Sequence, residues 1–265
     1  MFARVGLPVI FVFLWSSAFV TGKVAVIYAT PFALLLVRFF IVALLFGGMM
    51  LVARFWLARQ RWETAMPPAQ TASADDWRTL LVTAIVGVML HGGYLGSVFL
   101  ALSMGVPAGL TALVVSMQPL LSSFLATFLF AETLRFIQWT GIILGFAGVT
   151  VVLVPTIGGG AAGELSLAGI GVTFCGLAAI TCGTLMQKKF GNNIGLMKGN
   201  FLQSAAATLF YLAVTPLLEE PQIDWQTPFI LAMSWQILAV SLGAYVIFMM
   251  LIKRDSMAAT SSLLF

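Results

Sequence analysis

Eight apolar stretches of 20 to 25 residues follow one another along this chain: Val5 to Tyr28, Phe32 to Val52, Leu80 to Ala101, Ala108 to Ala131, Phe136 to Pro155, Leu165 to Met186, Gly199 to Leu218 and Pro228 to Ile252. A hydrocarbon core about 30 Å thick needs roughly 20 residues per helical crossing, so the spacing alone predicts a chain that crosses a bilayer many times. A ninth run opens at Ser256 and reaches Phe265. Only 8% of the residues are charged, against about 25% in a soluble domain. The runs predict helices and not barrel strands, which need only about 10 residues of alternating pattern. A helix pairs every backbone donor and acceptor within its own segment, which lipid demands. Arg4 before an apolar stretch also fits a signal peptide. That stretch is longer than a signal core of about 7 to 15 residues and leads straight into another span, which favours a first membrane helix.

Charge placement predicts the orientation. With a cytoplasmic N-terminus and alternating spans, the inner side receives Arg4, then Arg54, Arg59, Arg61 and Arg78, then Arg135, then Lys188, Lys189 and Lys198, then Lys253 and Arg254. These are eleven of the 13 basic residues. The outer loops receive none and hold Glu164, Glu219, Glu220 and Asp224, the split that the positive-inside rule describes. Trp56, Trp62, Trp77 and Trp139 fall at the inner face and Trp225 at the outer one, where an amphipathic indole prefers to sit. The net charge of +4 therefore reflects orientation in a cytoplasmic (inner) membrane, and no basic stripe suggests nucleic acid. Cys175 and Cys182 lie seven residues apart in one span, about 10 Å along a helix and beyond bridging distance. They read as small packing residues.

An internal repeat is visible. Trp15-Ser16-Ser17-Ala18-Phe19 is followed four residues later by Lys23, and Ile180-Thr181-Cys182-Gly183-Thr184 four residues later by Lys188, both at an offset of 165. At that offset Arg38 falls on Gln203. A second register, offset by 150, sets Gly93 on Gly243, Ala108 on Ala258 and Thr111 on Ser261. The pairings predict a five-helix unit over residues 1–155, a Gly-rich linker over 156–164 containing Gly158 to Gly163, and a second unit over 165–265. Five is odd, so the second unit enters the membrane from the opposite side. Inverted repeats of this kind typify secondary transporters with a site at the bilayer midplane.

Four segments carry a resemblance to a known family. They are Leu14-Trp15-Ser16-Ser17-Ala18-Phe19 with Lys23; Pro31 with Arg38-Phe39; Gly105-Val106-Pro107-Ala108-Gly109 leading to Pro119; and Phe130-Ala131-Glu132-Thr133-Leu134 running to Gly141, Gly145 and Gly148. In their order and spacing the chain resembles the drug/metabolite transporter superfamily, in particular the EamA-type ten-helix exporters and permeases. The resemblance implies ten helices, cytoplasmic termini, alternating access, and substrates drawn from amino acids, nucleosides, drugs and other metabolites. Val115 is the repeat partner of Phe265, and forty residues separate Val115 from Pro155. The repeat unit therefore predicts about forty more residues, the rest of helix nine and all of helix ten. A carboxylate after Leu263-Leu264-Phe265 would otherwise lie in lipid, which is costly.

Polar groups at membrane depth are expensive and so are functional candidates. His91, the single histidine, shares a helix face with Tyr94 three residues on. It reads either as a neutral imidazole bonded to a carbonyl or as a group that binds substrate or moves a proton. Arg38 sits about two turns below the outer surface, too deep for easy snorkelling, and reads as a cavity charge for anionic substrate groups or as a partner for backbone carbonyls. Trp15 and Trp235, inside their spans and away from the belts, offer flat apolar surface plus one donor, for a ligand or for packing. Tyr245 and Gln118, the latter just before Pro119, complete the candidates. Ser16 and Ser17 suit helix packing, as do Gly141, Gly145 and Gly148. Lys23 and Lys188 are expected to snorkel, and Glu132 with Arg135 nearby to cap the join between spans four and five.

The reading is an all-α polytopic membrane transporter for a small organic metabolite, an amino acid or similar amphipathic solute, working by alternating access in the direction of export. Its partners are the solute and the lipid bilayer, and nothing in the sequence sets an oligomeric state. An intramembrane enzyme is disfavoured because all nine carboxylates fall in loops or at helix ends and leave the histidine no carboxylate to orient it. A lone His and two Cys lack metal-ligand spacing, and no cofactor is expected. A receptor or scaffold is disfavoured because a duplicated antiparallel unit makes two gates. Without an intramembrane Asp or Glu, either His91 carries the coupling or the solute moves by facilitated diffusion or exchange.

Overall fold

The computed structural model describes residues 2–64, 76–129, 136–157, 166–190, 194–244 and 247. These segments are helices joined by short turns, with one isolated β-bridge between Ala29 and Ile223. In chain order the helices are α1 (Phe2–Tyr28), α2 (Pro31–Thr64), α3 (Trp77–Ser103), α4 (Ala108–Leu129), α5 (Phe136–Ile157), α6 (Leu167–Phe190), α7 (Leu196–Leu218) and α8 (Thr227–Ala244). They coincide with the eight apolar runs. Among the described residues seven are long and apolar enough to cross a membrane, and a shorter apolar helix, Phe136–Val152, lies within α5. The ninth run, the Gly158 to Gly163 linker, and Glu132 with Arg135 lie outside the described residues.

Large apolar side chains face outward on every helix, among them Phe13, Ile27, Leu44, Phe128, Leu144, Leu167, Leu209 and Leu231. A protein in water does not present so continuous an apolar surface, whereas lipid solvates it. The interior is closely packed and built on Phe39, Phe46, Phe99, Tyr211 and Phe229, each at most 2% exposed.

Among the described residues, α3, α8 and α4 depart from a plain α-helical course. In α3 the stretch Val88–Tyr94 opens into a wider, π-type turn between α-helical Trp77–Gly87 and Leu95–Ser103. In α8 the stretch Gln236–Ala244 does the same after Thr227–Trp235. At the offset of 150, Val88–Tyr94 falls on residues 238–244, so the two irregularities occupy matching positions. Such segments recur at functional sites. In α4 the break falls at Ser116–Met117. Pro119 lacks an N–H and its ring clashes with the carbonyl four residues back, which is that of Val115.

The turn from α3 to α4 follows from its residues. Gly105 takes the left-handed conformation, φ 92°, which costs a residue without a Cβ nothing. Its N–H donates to the Leu102 carbonyl (3.2 Å) and the Val106 N–H to the Ala101 carbonyl (3.0 Å), a Schellman closure. Val106, 1% exposed, supplies the apolar contact that accompanies it. Lys23 Nζ donates to the same Leu102 carbonyl at 2.7 Å. The lysine expected to snorkel thus ties α1 to the negative end of α3.

Helix pairing sets the architecture. The α2–α7 contact is the most extensive; α3 lies along α6 and α7, and α1 along α8. Gly169, Gly176 and Gly183 line the face of α6 that meets α3: a Cβ there would fall 2.6 Å from Val106 Cγ2, 3.0 Å from Ser97 Cβ and 2.7 Å from Leu90 Cδ2, respectively. Small residues at heptad spacing let helix backbones approach closely in lipid. The glycines expected to do this in span five behave differently. Only Gly145 meets a neighbour, Leu120 of α4, while Gly141 and Gly148 face open space.

At one end of the bundle the α1–α2 turn pairs with the α7–α8 loop. Thr30 N donates to Gln222 O (3.0 Å) and Asp224 N to Tyr28 O (2.7 Å). Glu219 Oε1 accepts from Ala33 N at 2.7 Å, a carboxylate seated at the positive N-terminus of α2.

Candidate functional site

A cavity lies inside the bundle, lined by residues of α1, α2, α3, α6, α7 and α8. Its walls are largely aromatic and aliphatic, with Phe19, Phe39, Phe46, Val98 and Phe99 contributing, while Arg38, His91, Thr184, Asn200, Ser204 and Ser241 bring polar groups. A mostly apolar chamber with a few placed polar groups is the common form of a small-molecule site.

Of the seven candidate residues, the fold brings Trp15, Arg38, His91 and Tyr94 to the cavity. Arg38, 3% exposed, donates from Nε (3.1 Å) and Nη2 (3.0 Å) to Ser241 Oγ, joining α2 to α8. Its Nη1 is buried without a hydrogen-bond partner. The guanidinium carbon stands 5.4 Å from the centroid of the Phe39 ring, within cation–π range. The His91 ring lies against Phe39, with centroids 4.7 Å apart and planes tilted by 32°. Tyr94, 4% exposed, is on the same face of α3. Trp15 packs 5.5 Å from Phe11, centroid to centroid.

Two further candidates, Gln118 and Trp235, do not line the cavity. Gln118, 2% exposed, stands behind the wall: its Nε2 donates to Ser122 Oγ and to Thr184 Oγ1, both at 3.0 Å, so it orients a hydroxyl that does line the cavity. Trp235 is 39% exposed and is not among the residues lining the cavity; its Nε1 donates to Ser17 Oγ at 2.8 Å, a tie between α8 and α1. Tyr245 lies outside the described residues.

Several contributors did not stand out in the sequence. Tyr211 of α7 is fully buried, and its hydroxyl lies 2.7 Å from the His91 carbonyl and 3.0 Å from that of Gly92. One phenolic hydroxyl thereby reaches two carbonyls of the wide turn. Gln236, at the start of the wide turn in α8, is also fully buried and donates to Ala18 O (2.8 Å) and Thr21 Oγ1 (2.9 Å) of α1. Each wide turn is thus tied to a neighbouring helix by a buried polar side chain. A tyrosine or glutamine inside an apolar run, away from the interfacial belts, was the available signal for both. Among the described residues no group of three His, Cys, Asp or Glu comes together as a metal site.

An all-α, polytopic chain with an aromatic-walled chamber enclosed by helices from both of its halves is the build of a membrane transporter. Residues 5–154 match the EamA-like transporter family. Because that match covers more than half of the chain, the chain belongs to this family, within the drug/metabolite transporter superfamily that the motifs resemble. Three relatives illustrate the range. The "Uncharacterized transporter YvbV" of Bacillus subtilis is 26% identical over 242 residues, covering 89% of this chain and 71% of that protein. A "Probable amino-acid metabolite efflux pump" of Salmonella typhimurium is 28% identical over 183 residues, 69% of this chain and 52% of the pump. The "WAT1-related protein At3g02690, chloroplastic" of Arabidopsis thaliana is 25% identical over 260 residues, 96% of this chain and 58% of that protein. The chain thus spans between about half and 71% of the length of these relatives.

Proposed function

We propose that this protein exports a small organic metabolite, an amino acid or a similar amphipathic solute, across the cytoplasmic membrane by alternating access around the central cavity. The observation that carries the reading is the cavity itself: helices of both halves enclose it, its walls are aromatic, and a buried arginine with an unpartnered nitrogen lines it. The printed names of the Salmonella typhimurium and Escherichia coli relatives, each a "Probable amino-acid metabolite efflux pump", support the class of solute and the direction.

Alternating access by inverted repeats, with units at 1–155 and 165–265, draws support from the helix pairing. Exchanging α1 with α6, α2 with α7 and α3 with α8 turns the α1–α8 contact into the α6–α3 contact and returns α2–α7 to itself. The same exchange pairs the helices that carry the two wide turns, α3 and α8. A cytoplasmic N-terminus in an inner membrane is supported by the eleven basic residues that this orientation places inside. The family and the printed names of the relatives point to transport rather than to enzyme chemistry.

A thermal-shift screen of amino acids, nucleosides and amphipathic drugs on purified protein should find a stabilising solute. That solute should leave preloaded vesicles faster with the protein than without it. Stabilisation without faster release would contradict transport.

A further inference from the structure

The chemistry of the cavity distinguishes among solutes of similar shape. Arg38 is a fixed cation at membrane depth, 3% exposed, with two nitrogens on the Ser241 hydroxyl and Nη1 without a partner. No carboxylate lies within ion-pairing distance of it among the described residues. Buried charges in proteins are normally paired, because an unpaired one forfeits its hydration. Here the available neighbour is a neutral hydroxyl.

Resting on the transport reading above, we propose that the site takes an organic monoanion: a carboxylate carried on a flat apolar body and lacking an ammonium group. The carboxylate bonds to the Arg38 guanidinium, a charge-assisted contact stronger than the hydroxyl supplies. The body lies along the aromatic wall formed by Phe19, Phe46 and Phe99. An α-ammonium would meet hydroxyls, the Asn200 amide, the His91 imidazole and aromatic faces in the described lining, none of them an anion, with a positive guanidinium nearby. A zwitterionic amino acid therefore leaves one charge uncompensated, whereas its deaminated counterpart does not. The site thus favours a deaminated or N-acylated amino-acid derivative over the amino acid itself.

Three compounds with the same ring and chain length separate the cases: 3-phenylpropionate, phenylalanine and phenethylamine. Binding is read on the purified protein by thermal stabilisation and by Trp15 fluorescence against a Trp15→Phe control, so no flux is required. 3-Phenylpropionate should bind about tenfold or more tightly than phenylalanine, and phenethylamine weakest. Arg38→Gln should erase the preference and Arg38→Lys retain part of it; should the Gln variant not fold, the wild-type ranking still decides. Equal or tighter binding of phenylalanine, preference for the amine, or no binding of the acid at millimolar concentration would each overturn the proposal. Tight binding of the acid with no flux in vesicles would leave the anion site standing and overturn transport.

Discussion

The Tyr211 hydroxyl donates to the backbone carbonyl of His91 at 2.7 Å, a bond between α7 and the wide turn of α3 across 120 residues of sequence. In lipid a backbone carbonyl has no water to turn to if a protein donor is lost. Tyr211→Phe removes the donor and keeps the ring, which stacks on Phe39 at 6.2 Å. The variant should unfold at lower temperature in detergent, with a loss of about 1 to 2 kcal/mol. An unchanged melting temperature would mean that this bond adds nothing to stability.

Gly87 of α3 tests backbone contact. A Cβ there would fall 2.5 Å from Gln203 Cα and 2.7 Å from its carbonyl oxygen. Backbone cannot swing aside as a side chain does, so Gly87→Ala should force α3 and α7 apart and destabilise the protein by about 1 to 3 kcal/mol. Gly141→Ala, where nothing lies within 4 Å, is the matched control and should be neutral or better. Thermal unfolding of both variants decides.

Tyr94 and Trp235 should part company in a binding assay. Tyr94 lines the cavity, whereas Trp235 bonds to Ser17 on the far side of α1. Tyr94→Ala should weaken solute binding by roughly 1 to 3 kcal/mol. Trp235→Ala should leave affinity within twofold while lowering stability. Titration of the stabilising solute into each variant reads both, and the reverse ranking would move the site outward.

These contrasts show where sequence reasoning carried and where it stopped. Run length and composition are properties of the solvent a helix requires, so every span from α1 to α8 was legible without the structure. Arg38 and His91 were legible because a charge or an imidazole in hydrocarbon is costly wherever it points. Trp235 was not placed by the same logic, since an indole is equally suited to cavity and packing and only its rotation about α8 separates the two. Tyr211 and Gln236 answer to irregular turns in α3 and α8, and those turns arise from contacts between helices far apart in sequence. The Gly169, Gly176 and Gly183 face of α6 follows a heptad spacing present in the sequence, whereas in span five Gly145 alone of the three glycines meets a neighbour.

Orientation is checked by labelling. With Cys175 and Cys182 replaced by Ala, a single cysteine in the loop between Arg54 and Arg78 should resist an impermeant thiol reagent in intact cells. One at Glu220, on the loop that pairs with the α1–α2 turn, should react. The opposite pattern would reverse the orientation drawn from the basic residues.

Countertransport in sealed proteoliposomes tests the central claim most directly. Vesicles are loaded with the stabilising solute unlabelled, diluted, and offered a trace of the labelled form outside. A carrier whose site faces one side at a time returns loaded, so the label should rise transiently above equilibrium. The overshoot should disappear when a cysteine at Val42, which lines the cavity, is modified, and survive modification at Leu231, which faces outward. Label that enters no faster than in protein-free vesicles, or that equilibrates without an overshoot, would contradict alternating access through this cavity.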